Sequence, residues 1–181
     1  MNFREYGKLM ESRWEDSTLS ERFQMIACDF DNLVYQGGKE SPLIGGDCSG
    51  TVCGPLYLMG YDIRTTADSL YKYLFIDEVT DYESKTDIMA VFYITQIPRE
   101  HFGRTVPVGI ATHVTPVVGR YVVINAFPMI DFYTAAYVRQ WYENRNFKVE
   151  WRKLNLKALQ KHHKDRDLIS GPDLVLRKLR R

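Results

Sequence analysis

The chain has 181 residues, 45% of them hydrophobic, and a formal net charge of +1, so it is long enough to bury one sizeable core, and its overall charge singles out no anionic partner. Its three cysteines, Cys28, Cys48 and Cys53, are odd in number and irregularly spaced, which fits reduced thiols better than a disulfide framework. The charged N-terminus is no secretory signal and no apolar run reaches the roughly 18 to 20 residues that cross a bilayer, so the expectation is a soluble protein made in the cytoplasm that reaches any outside target by lysis, an injector or a virion.

In residues 1–34 the apolar positions Phe3, Tyr6, Leu9, Met10, Trp14, Phe23, Ile26 and Ala27 recur mostly by three and four. That spacing predicts two short amphipathic helices, the second starting near Ser17 or Ser20 with Glu21 in its first turn. A Gly-rich loop follows over residues 36–50. Residues 51–59 are apolar enough for a buried helix that stops at Gly60, and Thr65-Thr66-Ala67-Asp68 opens another helix over 65–75. Three β-rich runs come next, at 88–94, 112–118 and 121–126, the last two joined through Gly119-Arg120 as a tight hairpin. Helices first and an antiparallel sheet afterwards predict an α+β domain.

Residues 135–159 read as helical in part, and 169–181 as a basic tail. Residues 145–181 hold 12 Lys/Arg against 4 Asp/Glu, a candidate docking surface for a structural partner protein. The chain thus divides into a helical segment (1–34), a core (35–144) and a basic extension (145–181). Without regularly interleaved aromatics or a nucleic-acid module, a nucleic-acid partner is not expected, and no membrane partner is. The His162-His163 pair has no cysteines at ligand spacing, so no metal site and no cofactor are expected.

The chemistry concentrates in Tyr35-Gln36-Gly37-Gly38 and Gly46-Asp47-Cys48-Ser49-Gly50. A cysteine after a glycine loop and at a helix start meets unsatisfied amides and the positive end of the helix dipole, which favour thiolate. Cys53 lies about 140° further round the same helix and packs inward. Of four histidines, His101, His113, His162 and His163, only His113 sits in a β-rich run where a sheet could hold it against that helix start. Asn125 lies across the expected hairpin, where its amide oxygen can accept the proton on the far ring nitrogen and fix the tautomer. Cys48, His113 and Asn125 therefore form a candidate nucleophile, base and orienter. The backbone N–H of Cys48 is the candidate oxyanion donor.

These residues resemble the NlpC/p60 cell-wall peptidases, compact papain-like enzymes. The likeness rests on Tyr35-Gln36-Gly37-Gly38 with Asp47-Cys48-Ser49-Gly50, on Arg64-Thr65-Thr66-Ala67, on the strand at 87–92, and on His113-Val114 followed twelve positions later by Ile124-Asn125-Ala126. Thr115-Pro116 replaces a usual Gly-Ile, Asn125 stands where histidine is commoner, and the longer Cys48–His113 span implies an insertion between Ile94 and Val108. The resemblance implies a papain-like fold with N-terminal helices packed on a central antiparallel sheet. It also implies hydrolysis of a γ-D-glutamyl bond to the diamino acid in the stem peptide of peptidoglycan. Tyr35 would then bind substrate or the developing oxyanion, and Asp47 and Ser49 would line the subsite that reads the substrate's amino end. Because tail proteins of this type are familiar, a phage tail or virion setting ranks first. An inactive structural or tail-assembly protein, and an amidase, acyltransferase or deamidating toxin with the same triad, are the alternatives.

Overall fold

The two N-terminal helices form where the apolar spacing places them. In the computed structural model, which describes residues 3–80 and 86–169, α1 spans Phe3–Arg13 and α2 spans Leu19–Cys28. Thr18 opens α2 with a capping box: its hydroxyl accepts the Glu21 N–H at 3.2 Å, and the Glu21 carboxylate accepts the Thr18 N–H at 2.7 Å. Asp29, just past α2, accepts from Tyr6 at 3.1 Å and Arg13 at 2.9 Å, tying α1 to α2.

The Gly-rich segment folds into a small three-stranded sheet of two-residue strands, β1 (Val34–Tyr35), β2 (Glu40–Ser41) and β3 (Gly45–Gly46), in the order β1-β3-β2. It leads into α3 (Gly50–Leu58), which is buried from Gly50 to Tyr57. Such a helix is apolar all round because it is wedged between other elements rather than laid on a surface. Gly50 and Gly54 permit the wedge: a Cβ there would lie 1.9 Å from the Lys39 carbonyl oxygen and 2.2 Å from that of Glu40. Thr66 then caps the short α4 (Ala67–Ser69), which runs into a π-helical turn at Leu70–Leu74.

The main sheet has six strands: β4 (Asp77–Val79), β5 (Met89–His101), β6 (Arg104–Gly119), β7 (Val122–Ala126), β8 (Ile130–Thr134) and β9 (Lys148–Lys153). Their order is β4-β9-β5-β6-β7-β8, with every neighbouring pair antiparallel. Two further helices follow in the chain, α5 (Ala135–Glu143) and α6 (Leu156–Asp165). Alternation along β5 serves two cores. Ala90, Phe92 and Ile94 pack with Phe23, Leu56 and Leu159 on the face that carries α2, α3 and α6. Val91 and Tyr93 pack with Ala135 and Val138 of α5 on the other face. The domain is α+β, with the N-terminal α2 packed on one face of the antiparallel sheet and α5 on the other.

Three features differ from the expectation. The expected insertion between Ile94 and Val108 is regular: β5 and β6 stay paired to His101 and Arg104 around Phe102-Gly103. Because β9 accompanies β5 only as far as Ile94 and β7 meets β6 only from Val117, the outer half is a free two-stranded arm. Phe102 at its tip is 95% exposed. Pro98 opposite Pro107 puts two residues without an N–H at one rung, which blunts the arm's edges against strand addition. Second, the β6–β7 turn is Arg120-Tyr121, since Gly119 already pairs with Val122. Third, residues 148–153 supply β9, which lies between β4 and β5, and Leu159 and Leu168 are core residues. So the segment from 145 to 169 is part of the domain and not an appended extension. The remainder of the basic tail, 170–181, lies outside the described residues.

Replacing residues 98–107 by a two-residue turn between the paired Ile97 and Val108 is expected to leave the main sheet intact. The thermal melt should move by no more than about 3 °C, the size of a surface change. A fall of more than about 10 °C would show that the arm is integral to the core.

Candidate active site

The loop before α3 is built around one carboxylate. Asp47 Oδ1 accepts the Gly50 N–H at 2.6 Å and the Ser49 hydroxyl at 3.0 Å, while Oδ2 accepts the Gly38 N–H at 2.7 Å. The Thr51 N–H donates to the Asp47 carbonyl at 3.0 Å, so the helical bonding begins at Asp47 and Cys48 occupies its first turn. The Arg64 guanidinium closes the loop, reaching Asp47 Oδ2 at 2.8 Å, the Ser49 hydroxyl at 2.8 Å and, more loosely, Glu40 at 3.6 Å. Arg64 is 4% exposed and Glu40 fully buried. Sequence reading singled out Arg64 only as part of a motif; its place as a clamp appears once residues 40, 47 and 64 are brought together.

His113 is aimed by a bulge. On β6 it pairs with Tyr93, yet Ala111, two residues away, pairs with Ile94, so Thr112 is an extra residue in the ladder. In an unbroken strand residues 111 and 113 would face the same way. The added residue turns His113 toward the Tyr93 side while Ala111 joins the opposite core. There the imidazole Nε2 meets Asn125 Oδ1 at 2.8 Å. The amide oxygen can only accept, so Nε2 carries the proton and Nδ1 keeps its lone pair. The ring also stacks on Tyr142 of α5, with centroids 5.3 Å apart and planes at 22°, and Tyr142 in turn rests on Tyr93 at 4.1 Å. Sequence reading missed Tyr142 and Tyr93. Nothing in one sequence tells which face of a strand a bulge will select.

Cys48 comes to the same strand from the other side. Past Val117 toward His113, β7 splays away from β6, which leaves the strand open there and gives Pro116 an edge on which its missing N–H costs no ladder bond. The Val114 and Ser49 N–H groups lie close enough to the Cys48 sulfur to favour its charged form, so the thiol sits beside β6 one residue along from the imidazole. Among the described residues no hydrogen bond joins the thiol to the ring. Tyr35 lies near the thiol. With Asp47, Cys48, Ser49, Asp68 and Thr112 it lines an open groove of about 420 Å³. Burial and the neighbouring Cys48 and Asp47 all raise its phenol pKa. Asp47 and Ser49 stand in the groove wall, but the polar atoms expected to read substrate are engaged by Arg64, Gly38, Gly50 and each other.

The electrostatics correct one expectation. Burial first, and then the Asp47 carboxylate, push the Cys48 thiol up to about 11, against the lowering pull of the two backbone N–H groups and Arg64. The helix end that should have favoured thiolate is already occupied by a carboxylate. Burial likewise drives the His113 imidazole down to about 4, with Asn125 pulling the other way. At neutral pH the resting pair is thiol and neutral imidazole.

Fold and site together define an α+β protein with a cysteine at the start of a buried helix and, on the sheet, a histidine bonded to an asparagine. No protein-family model matches the chain, and no curated protein does. A solved structure to which it is similar is that of a Staphylococcus aureus subsp. aureus Mu50 protein described as similar to lipoprotein, NLP/P60 family. The match has a TM-score of 0.50 and 18% identity, and covers 67% of this chain and 38% of that one. The chain has an NlpC/p60-like α+β fold and spans well under half the length of that neighbour.

Two outcomes follow from these charges. An unfolded His113 binds a proton below about 6.5, whereas the folded ring refuses it until about 4. Its contribution to stability is therefore full above the upper value and lost as pH falls toward the lower one. The loss is about 3 kcal/mol. Urea unfolding at the two pH values should show that extra slope in wild type and not in His113→Gln. Separately, Asp47→Asn keeps an acceptor for the loop and removes the charge. The pH midpoint for alkylation of Cys48, followed by peptide mass spectrometry, should fall by on the order of one pH unit; an unchanged midpoint would mean that Asp47 does not set the thiol.

Proposed function

We propose that the chain is a papain-like cysteine hydrolase that cleaves an amide bond in the stem peptide of peptidoglycan, the γ-D-glutamyl bond to the diamino acid. The observation that carries this reading is the 2.8 Å bond from His113 to Asn125, which leaves the other ring nitrogen to serve a thiol held beside the next residue of the strand. In this reading substrate draws thiol and ring together, as catalytic contacts tighten on binding. Cys48 Sγ attacks the carbonyl carbon as its proton passes to His113 Nδ1. The nucleophile is made during attack and not stored as a thiolate, because burial disfavours both charged forms at rest. The Cys48 N–H at the helix start, with the Tyr35 hydroxyl, faces the oxyanion. The imidazolium gives its proton to the leaving amine, and water then opens the thioester by the reverse route. Asn125 holds the ring through both transfers, and Tyr142 supports its plane.

Purified protein incubated with defined peptidoglycan fragments should release stem-peptide products identified by mass. Cys48→Ala should abolish release, and His113→Ala should reduce it by about 10² to 10⁴. Asn125→Ala should lose less than His113→Ala, since the ring remains. Equal release by Cys48→Ala would overturn the assignment. Turnover of an acyl ester or a protein glutamine in parallel, with none of the wall fragments, would transfer the same triad to a different acyl group. No turnover of any of the three would mark an inactive scaffold.

A further inference from the structure

Apart from the Cys48 groove the fold has a second, partly open cavity of about 240 Å³, with Asn125 in its wall. Its walls come from three elements that converge late in the chain: Phe127 after β7, Tyr133 of β8, and Tyr137, Trp141 and Tyr142 of α5. Phe127 is 62% exposed, Tyr137 60% and Trp141 40%, so large rings stand open to solvent around one depression. Isolated exposed apolar residues need no explanation, but a converging set of them marks a binding surface. The lining residues carry no carboxylate, ammonium or guanidinium of their own, only Pro128 and Val138 are aliphatic, and the nearest charge is the Arg145 guanidinium over the Trp141 ring at 3.6 Å. Three of the rings carry hydroxyls, and Tyr133 and Tyr137 lie nearly parallel, at 12° and 5.7 Å. Asn125 also faces the cavity; its oxygen is taken by His113, while its amide nitrogen has no hydrogen-bond partner among the described residues.

The ammonium groups of a diamino acid find no carboxylate in this lining, and an acyl chain would find flat rings rimmed with hydroxyls in place of an aliphatic tunnel. A pyranose matches both halves of this chemistry. Its C–H face stacks on an aromatic plane, and its hydroxyl and N-acetyl groups meet phenol oxygens and an amide donor. The cavity has room for a single ring. It shares Asn125 and Tyr142 with the thiol site, and Tyr35 of the Cys48 groove touches Phe127 edge-on at 5.9 Å. We propose that this cavity is a glycan subsite that holds one N-acetylhexosamine ring while the attached or neighbouring peptide lies in the Cys48 groove. Among neutral rings, the choice of an N-acetylhexosamine rests on the peptidoglycan reading above.

The test is calorimetric titration of the full chain carrying Cys48→Ala, so that nothing is turned over, with N-acetylglucosamine tetramer, decanoate and phenylalaninamide in separate arms. Saturable binding of the tetramer alone is expected, weakened by at least about tenfold in Tyr137→Ala and in Phe127→Ala. Both residues are exposed, and circular dichroism of each variant confirms folding. No saturable tetramer binding, stronger binding of decanoate or phenylalaninamide, or tetramer binding indifferent to both substitutions would overturn the subsite. A protein that binds the tetramer but cleaves no stem peptide would keep the subsite and lose the peptidase reading. One that cleaves stem peptide but binds no sugar would do the reverse.

Discussion

The arrangement depends on a buried guanidinium. Arg64 sits 4% exposed between Glu40, Asp47 and Ser49, and together with Arg64 these partners come from three stretches of chain that must meet for the thiol to be placed. Removing one member of such a cluster leaves a charge stranded in the interior, at a cost of about 3–5 kcal/mol. The cluster therefore specifies one conformation of the Gly37–Gly50 segment more than it adds net stability. The backbone contact of Gly50 and Gly54 with residues 39–40 works in the same direction, since it brings Glu40 to the same place by steric fit.

Geometry at the site is set by interruptions of regular structure. One extra residue at Thr112 turns His113 toward Asn125, and the splay of β7 from β6 opens the strand to the Cys48 sulfur. An uninterrupted sheet would have buried the histidine in the opposite core and closed the edge that the thiol uses. The same burial that positions the two groups keeps both uncharged, so proton transfer between them belongs to the moment of reaction. Helix α5 serves both the histidine and the aromatic depression: Val138 anchors it in the core, Tyr142 supports the imidazole, and Tyr137 and Trp141 face the depression.

Much of this was legible in the residues. The second helix with Glu21 in its first turn, the helix opened by Thr65-Thr66, the buried helix ending before Gly60, and the pairing of His113 with Asn125 all follow from local chemistry or a spacing of twelve, although the cap of the second helix is Thr18 and neither Ser17 nor Ser20. Each depends on groups close along the chain or across one turn. What escaped were features that depend on distant partners. Strand β9 hid inside a charged stretch because Glu150 and Arg152 are accommodated by Tyr71 and by each other. The arm beyond Ile94 has no core face, and its one alternating run, Val106, Val108 and Ile110, is interrupted by Pro107 and Gly109, residues that read as turn rather than strand.

By itself the sequence determined that a cysteine would stand at the start of a buried helix and that a histidine and an asparagine would meet on a sheet, because caps, glycine contacts and strand periodicity act over a few residues. Only the tertiary structure decided the charge state of that cysteine, the face on which the histidine lies and the aromatic cavity beside it. Burial, a ladder's register and the convergence of three separate segments are properties of the packed chain, and none is carried by a residue alone.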